Sequence, residues 1–255
     1  MKRKLIIVGL LLTIWSILAV SVASAEPVDP IPSIGIQIGN SDSGGASGTT
    51  SLSILLMITV LSIAPAILVL MTSFTRIVVV LGFVRSSLGT QQMPPNQVLI
   101  GLALFLTLFI MSPTLTTINE VAVQPYIKGE ITQTEALDKA AVPMKKFMYS
   151  HTRTKDLQLF MGYTKMEKPK SYEDIPLSVM VPAFAISELK TAFQMGFMIF
   201  IPFLIIDIVV SSVLMAMGMM MLPPVMISLP FKILLFVLVD GWYLIVKSLL
   251  VSFNT

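Results

Sequence analysis

Residues 179–222 read VMVPAFAISELKTAFQMGFMIFIPFLIIDIVVSSVLMAMGMMML, a mostly apolar run whose only charged residues are Glu188, Lys190 and Asp207. A straight helix over this stretch would measure roughly 66 Å at ~1.5 Å per residue, about twice the ~30 Å of a bilayer's hydrocarbon. Pro182 and Pro202 are therefore the expected kinks or breaks. One span is expected near Met195–Ala216, with Val179–Gln194 as a partly buried lead-in.

Three further stretches behave alike. Leu52–Met71 is apolar enough to cross, and its character resumes after Arg76 as far as Val84. Val98–Ile118 is the second span, and Ile227–Val251 is the last. The composition agrees: 55% of the 255 residues are hydrophobic, 12% are charged and the mean hydropathy is +0.87. A soluble domain carries ~25% charged residues, so an ordinary water-soluble enzyme is excluded and an integral membrane protein is implied.

The net charge of +3 does not argue for nucleic acid. Lys2, Arg3 and Lys4 precede the apolar run Leu5–Val22, which ends in Ala23-Ser24-Ala25. This is the pattern of a secretory signal, with Ala23 and Ala25 framing the cleavage motif. Cleavage after Ala25 would leave 14 basic and 14 acidic residues, a neutral chain without an electrostatic case for polyanions. There is no cysteine and one histidine, His151, so disulfides, thiolate metal sites and Cys nucleophiles are excluded. No Walker A, G-x-S-x-G or H-E-x-x-H motif occurs. Asp207 and Asp240 lack the glycine-rich context of an intramembrane protease pair. Neither enzymatic activity nor a cofactor is expected.

The domain plan follows. A signal (1–25) leads into a Gly/Ser-rich extracytoplasmic linker (26–50), expected to be mobile. The first hydrophobic hairpin (51–118) precedes a polar insert (119–178) holding 17 of the 28 charges left after cleavage. The second hairpin (179–255) closes the chain. Within the insert, Thr132-Gln-Thr-Glu135 is a capping-box pattern. Leu137, Ala140, Ala141, Met144, Phe147 and Met148 recur behind it at helical spacing, with Pro143 as an expected bend. The positive-inside count would hold the insert inside. The signal instead sends residues 26–50 out, and the first two of the four expected spans return the insert to that same outer side. Long, charge-balanced loops cross largely regardless of charge, so the second orientation is preferred.

Glu188, Lys190, Asp207, Lys232, Asp240 and Lys247 interrupt or flank apolar sequence, and each costs ~2.5–3.5 kcal/mol at mid-membrane unless partnered. Mutual neutralisation between helices or subunits is expected, with Glu188 and Lys232 as the preferred pair. Snorkelling at interfacial depth is the plain alternative. A self-contained transporter or ion channel, with Asp207 and Glu188 as coupling groups, is the competing functional class. The most unusual stretch is Met215–Pro224, where five methionines fall within seven residues. Gly218 gives local freedom and Pro223-Pro224 end a helix, placing soft, unbranched thioethers at a hairpin tip. Such a tip suits a pore constriction better than a core.

Several blocks resemble a known family. Thr72–Arg85 (TSFTRIVVVLGFVR) continues through Gln91–Gln97 (QQMPPNQ), and Val181–Gln194 (VPAFAISELKTAFQ) is a second match. Met217–Met226 (MGMMMLPPVM), Phe231-Lys232 and Asp240-Gly241-Trp242 form a third. Together they resemble the FliP family of flagellar type III export-gate subunits over about residues 51–252. The resemblance implies a pentameric, helically staggered ring with FliQ and FliR, with FlhA and FlhB as further partners. Unfolded flagellar axial proteins would pass through its centre at the base of the flagellum in the bacterial inner membrane. It maps a methionine gasket onto Met219, Met220 and Met221, and implies helical hairpins held largely above the membrane plane. The expected fold is accordingly an all-α membrane protein: about four hydrophobic helices in hairpins, broken at prolines, with a small polar helical insert, assembling into a helical ring.

Overall fold

Helix formation here follows from long apolar stretches that must satisfy their own backbone groups when water is absent. The computed structural model describes residues 47–90, 92–166, 169–219 and 221–253. Ala23, Ala25, most of the expected linker and Met220 lie outside the described residues. Among those described, all regular structure is helical.

Helix α1 (Ser47–Met71) begins inside the stretch expected to be linker and carries Pro65 within it. The chain then turns by 77° between 65–71 and α2 (Phe74–Leu88). The turn falls at Thr72-Ser73, where the Thr72 hydroxyl donates to the Leu68 carbonyl and the Thr75 hydroxyl to that of Val69. These hydroxyls take up carbonyls that a helix end leaves unpaired. Gly89, in the left-handed region at φ 72°, caps α2.

Helix α3 (Asn96–Ile118) starts after Pro95 and continues through a π-helical turn, Asn119–Val123, as one rod to Ile127. In the polar segment, α4 (Gln133–His151) starts with both halves of the Thr132/Glu135 capping box in place and runs through Pro143. Helix α5 (Thr154–Tyr163) and a 3₁₀ turn, Tyr172–Asp174, follow.

Helix α6 (Leu177–Ala216) corrects an expectation. It is a single helix of 40 residues with Pro182 and Pro202 inside it, so the expected lead-in and span are one element. An internal proline removes one hydrogen bond and crowds one carbonyl, costing ~3 kcal/mol. Contacts with α2, α4, α5 and the following helix line α6 and outweigh that penalty. Helix α7 (Pro224–Leu238) and α8 (Gly241–Val251) close the chain, bent by 61° at a break that contains no proline. Asp240 sits there at φ 51°, an uncommon left-handed conformation for a residue other than glycine. A Cβ on Gly241 would stand 2.3 Å from the Phe236 ring, so any larger residue after the bend would force that ring to move.

By length and composition two helices can cross a membrane, Asn96–Ile127 and Leu177–Ala216, and up to four if each bent pair is one span. Their outward faces are apolar: Phe105 is 76% exposed and Phe197 62%. Contiguous exposed apolar surface of this kind requires lipid or protein against it.

Within Thr59–Thr255, a single compact unit, α6 is the central strut. One core cluster joins Ile77, Val80, Leu81 and Val84 of α2 to Leu99 and Ala103 of α3, Ala192 and Phe203 of α6, and Phe236, Ile245 and Leu249. A second joins Phe147 and Met148 of α4 and Leu157 and Met161 of α5 to Val179, Met180, Ala183 and Phe184 of α6. The α2–α6 approach is close enough that a Cβ on Gly196 would meet the Phe83 ring at 2.4 Å.

Candidate functional site

The methionine tip is built by two punctuation signals. Helix α6 ends in a Schellman motif: the Met219 amide donates to the Leu214 carbonyl and the Gly218 amide to that of Met215, both at 3.0 Å. Gly218 takes φ +74°, which a side chain would resist. Pro223 and Pro224 then open α7, where a missing N–H carries no penalty. Between them Met219 is 46% exposed and Met221 98%. Met215, Met217 and Met226 are exposed as well, so thioethers cover the end of the α6–α7 hairpin.

A charged clamp ties that hairpin together. Lys232 Nζ of α7 donates to Asp207 Oδ2 of α6 at 2.7 Å, and the Ser228 hydroxyl donates to Asp207 Oδ1 at 2.6 Å. Lys232 is buried, and its ammonium lies 3.7 Å from where a Cβ on Gly89 would stand. A cation is favoured there, beside the negative end of the α2 dipole.

A second clamp sits deeper. Arg76 Nε of α2 donates to Glu188 Oε2 at 2.9 Å, and its Nη2 donates to Glu188 Oε1, making a two-pronged pair with both side chains buried. Arg76 Nη1 also donates to the Ser252 carbonyl at 2.9 Å and its hydroxyl at 3.0 Å, satisfying the end of α8. The guanidinium carbon lies 3.8 Å from the centre of the Phe253 ring. His151 Nδ1 stands 2.8 Å from the Phe147 carbonyl, and its ring tilts against Phe253.

The polar segment is pinned to α6 by a third cluster. The Ser187 hydroxyl donates to Asp156 Oδ2 at 2.6 Å, as does Arg153 Nη2, while the Arg153 amide donates to Ser187 Oγ at 3.1 Å. Burial pushes the Asp156 carboxyl up, but the bonds from Ser187 and Arg153, with the charges of Arg153 and Lys190, hold it below the usual carboxylate range. Asp156 also lies in the first turn of α5, where an acid is favoured. Glu135 is likewise held low, first by the Thr132 backbone amide and then by its hydroxyl.

The expected Glu188–Lys232 pair is not what the structure holds within the chain. Glu188 is taken by Arg76 and Lys232 by Asp207. The reason is length: Glu188 and Asp207 lie roughly 28 Å apart along α6 at ~1.5 Å per residue. A lysine against one cannot reach the other. Lys190 is exposed and acts on Asp156 only through its charge. Lys247 stands over Tyr243 at 5.7 Å, and Asp240 is exposed at the α7–α8 bend. Sequence reading passed over Arg76, Ser187, Asp156 and Ser228 as members of these clusters. Arg76 carried a usable signal, being the one charged residue in the run from Leu52 to Val84. Among the described residues no cluster of three or more His, Asp or Glu could hold a metal.

Comparison with known proteins matches the sequence that builds these elements to a family. The FliP family profile aligns with residues 57–249. A Bacillus subtilis protein named flagellar biosynthetic protein FliP is 71% identical over 214 residues, 84% of this chain and 96% of its own. Proteins of the same name from Borreliella burgdorferi and Aquifex aeolicus are 46% and 49% identical, spanning 94% and 88% of this chain and 96% and 92% of theirs. The matched range takes in the buried residues of both core clusters, the Arg76–Glu188 and Asp207–Lys232 pairs and the methionine tip, and this chain belongs to the FliP family.

Proposed function

We propose that this chain is a pore-forming subunit of a flagellar type III export gate in the bacterial inner membrane, through which unfolded axial proteins pass. The observation that carries the reading is the tip of the α6–α7 hairpin. A glycine turn and two prolines hold thioethers into the open at Met219 and Met221, where a buried methionine would have served packing alone. The similarity to proteins named for flagellar biosynthesis supports the setting. Assembly as a pentameric ring with FliQ and FliR, beside FlhA and FlhB, follows the family resemblance and gives the exposed apolar faces of α3 and α6 their partners.

In this mechanism the Met219–Met221 segments of neighbouring subunits meet at the axis and close it to ions. A passing chain displaces the flexible side chains, which re-form a seal around it. The Asp207–Lys232 clamp fixes each hairpin while its tip yields, and Arg76–Glu188 fixes α2, α6 and α8 behind it. No bond is made or broken by the gate. The signal at 1–25 delivers the N-terminus outside, and the polar segment 119–178 forms an extracytoplasmic domain.

Two experiments test the proposal. Deleting the gene in its own organism should abolish hook and filament proteins in the medium, restored by the wild-type copy. Normal secretion with a defect in solute uptake would replace the gate by a self-contained transporter with Glu188 and Asp207 as coupling groups. Replacing Met219, Met220 and Met221 together by Ala should raise ion leakage through an assembled gate. An assembled triple variant with unchanged conductance would remove the seal and leave the methionines as packing.

A further inference from the structure

The bend between α7 and α8 is set by one residue's backbone. Asp240 takes φ 51° and ψ 56°, in the left-handed region that a residue with a Cβ enters at a steric cost, smaller for Asp and Asn than for most. Without that turn, α7 and α8 together have the length and composition of one apolar helix. The joint is not packed down on its neighbour. An apolar hollow of about 300 Å³ separates Ile199 and Pro202 of α6 from Val239, Gly241 and Leu244 of the joint.

The bent form is held from the far end of α8. Arg76 Nη1 donates to the Ser252 carbonyl at 2.9 Å and to its hydroxyl at 3.0 Å, and the guanidinium covers the Phe253 ring. His151 Nε2 stands 3.4 Å from the Phe253 carbonyl. Phe253 packs against both core clusters and is itself only half-buried. Ser252 and Phe253 thus latch the end of α8 to α2 and α4 at the edge of the bundle.

We infer that α8 is a hinged arm with two positions: folded back and latched, as described here, or straightened onto α7 as one helix from Pro224 to Val251. Straightening returns Asp240 to the right-handed region and gives the first-turn amides of α8 the partners that a helix start lacks. It gives up the latch and the burial of Ile245 and Leu249 in the first core cluster. Gly241 weakens the continuous helix, so the joint alone favours neither position strongly and the latch decides. Arg76 holds Glu188 through Nε and Nη2, separately from the latch, so the arm moves without breaking that pair. The arm is a property of the chain's own conformations and does not depend on the export reading.

The chain has no cysteine, so Met226→Cys and Lys247→Cys, both at exposed positions, take one spin label each on α7 and α8. The distance between them is read by pulsed double-resonance spectroscopy on the full chain in detergent. Undoing the 61° bend lengthens it by roughly 4 Å, from the helical rise per residue on either side of the joint. The chain with Phe253 intact should give one distance, the shorter. Phe253→Ala removes the ring beneath Arg76 and should add a second population at the longer distance. Adding Asp240→Gly frees the bend of its steric cost and makes the continuous helix poorer, so it should restore the single short distance. A Phe253→Ala chain with only the short distance would overturn the latch. A broad distribution with lost helical circular dichroism, unaltered by Asp240→Gly, would mean a fraying end and overturn the arm.

Discussion

The two charged clamps on α6 differ in how completely they are closed. Arg76–Glu188 is a two-pronged pair whose side chains are 4% and 0% exposed, tied also to the end of α8. Asp207–Lys232 is a single contact whose acid remains 24% exposed, near a tip of exposed methionines. One end of α6 is embedded where three helices converge, and the other is held by one cross-link and a hydroxyl. The contrast teaches that the same residue chemistry can fix a core or tether a movable hairpin, depending on how much water it loses.

Breaking the closed clamp should have the largest effect. Arg76→Ala or Glu188→Ala leaves an uncompensated buried charge and should cost about 3–5 kcal/mol, read as lost thermal or denaturant stability in detergent. The double change to leucine should recover most of it. If each single variant is as stable as wild type, the pair is not the buried anchor described here.

The helix crossing beside it comes next. Gly196→Ala sets a methyl group against the Phe83 ring and should cost about 1–3 kcal/mol. Adding Phe83→Ala should cost less than the two single changes together, because the second removes the obstacle to the first. Strict additivity in a double-mutant cycle would argue against the close approach.

Opening the other clamp should matter less. Lys232→Ala leaves Asp207 with water and Ser228, for a loss of about 1–2 kcal/mol, near the lower end for hydrogen bonds to charged groups. A loss equal to that of Arg76→Ala would erase the distinction between the two ends of α6.

The smallest effect is one of pH. The folded Asp156 carboxyl lies below its usual range, so its contribution is full above the unfolded value and is lost as pH falls through the folded one. Asp156→Asn should flatten the acid side of the stability profile and leave Glu188 variants unaffected by the same change. An identical acid profile in Asp156→Asn would remove that linkage.

Legibility followed locality. The Thr132/Glu135 box, the Gly218 turn and the Pro223-Pro224 start of α7 were readable because each acts within a few residues of itself. The continuity of α6 through Pro182 and Pro202 was not, because a proline's local penalty is certain while the contacts that offset it come from α2, α4, α5 and α7. The partners of Glu188 and Lys232 were missed for a related reason. Opposite charges attract without naming one another, and helix length with register selects which of them meet.

The sequence by itself determined the helical class with apolar stretches long enough to cross a membrane, the family and the place of the methionine tip, since apolar run length, motif residues and turn formers are properties of adjacent positions. Tertiary structure alone decided that Arg76 faces Glu188, that Asp207 faces Lys232, and that breaks fall at Thr72-Ser73 and Asp240. Those pairings depend on which side chains are brought within about 3 Å across separate helices, and desolvation makes the pairing obligatory where, as at Arg76–Glu188, both groups are buried.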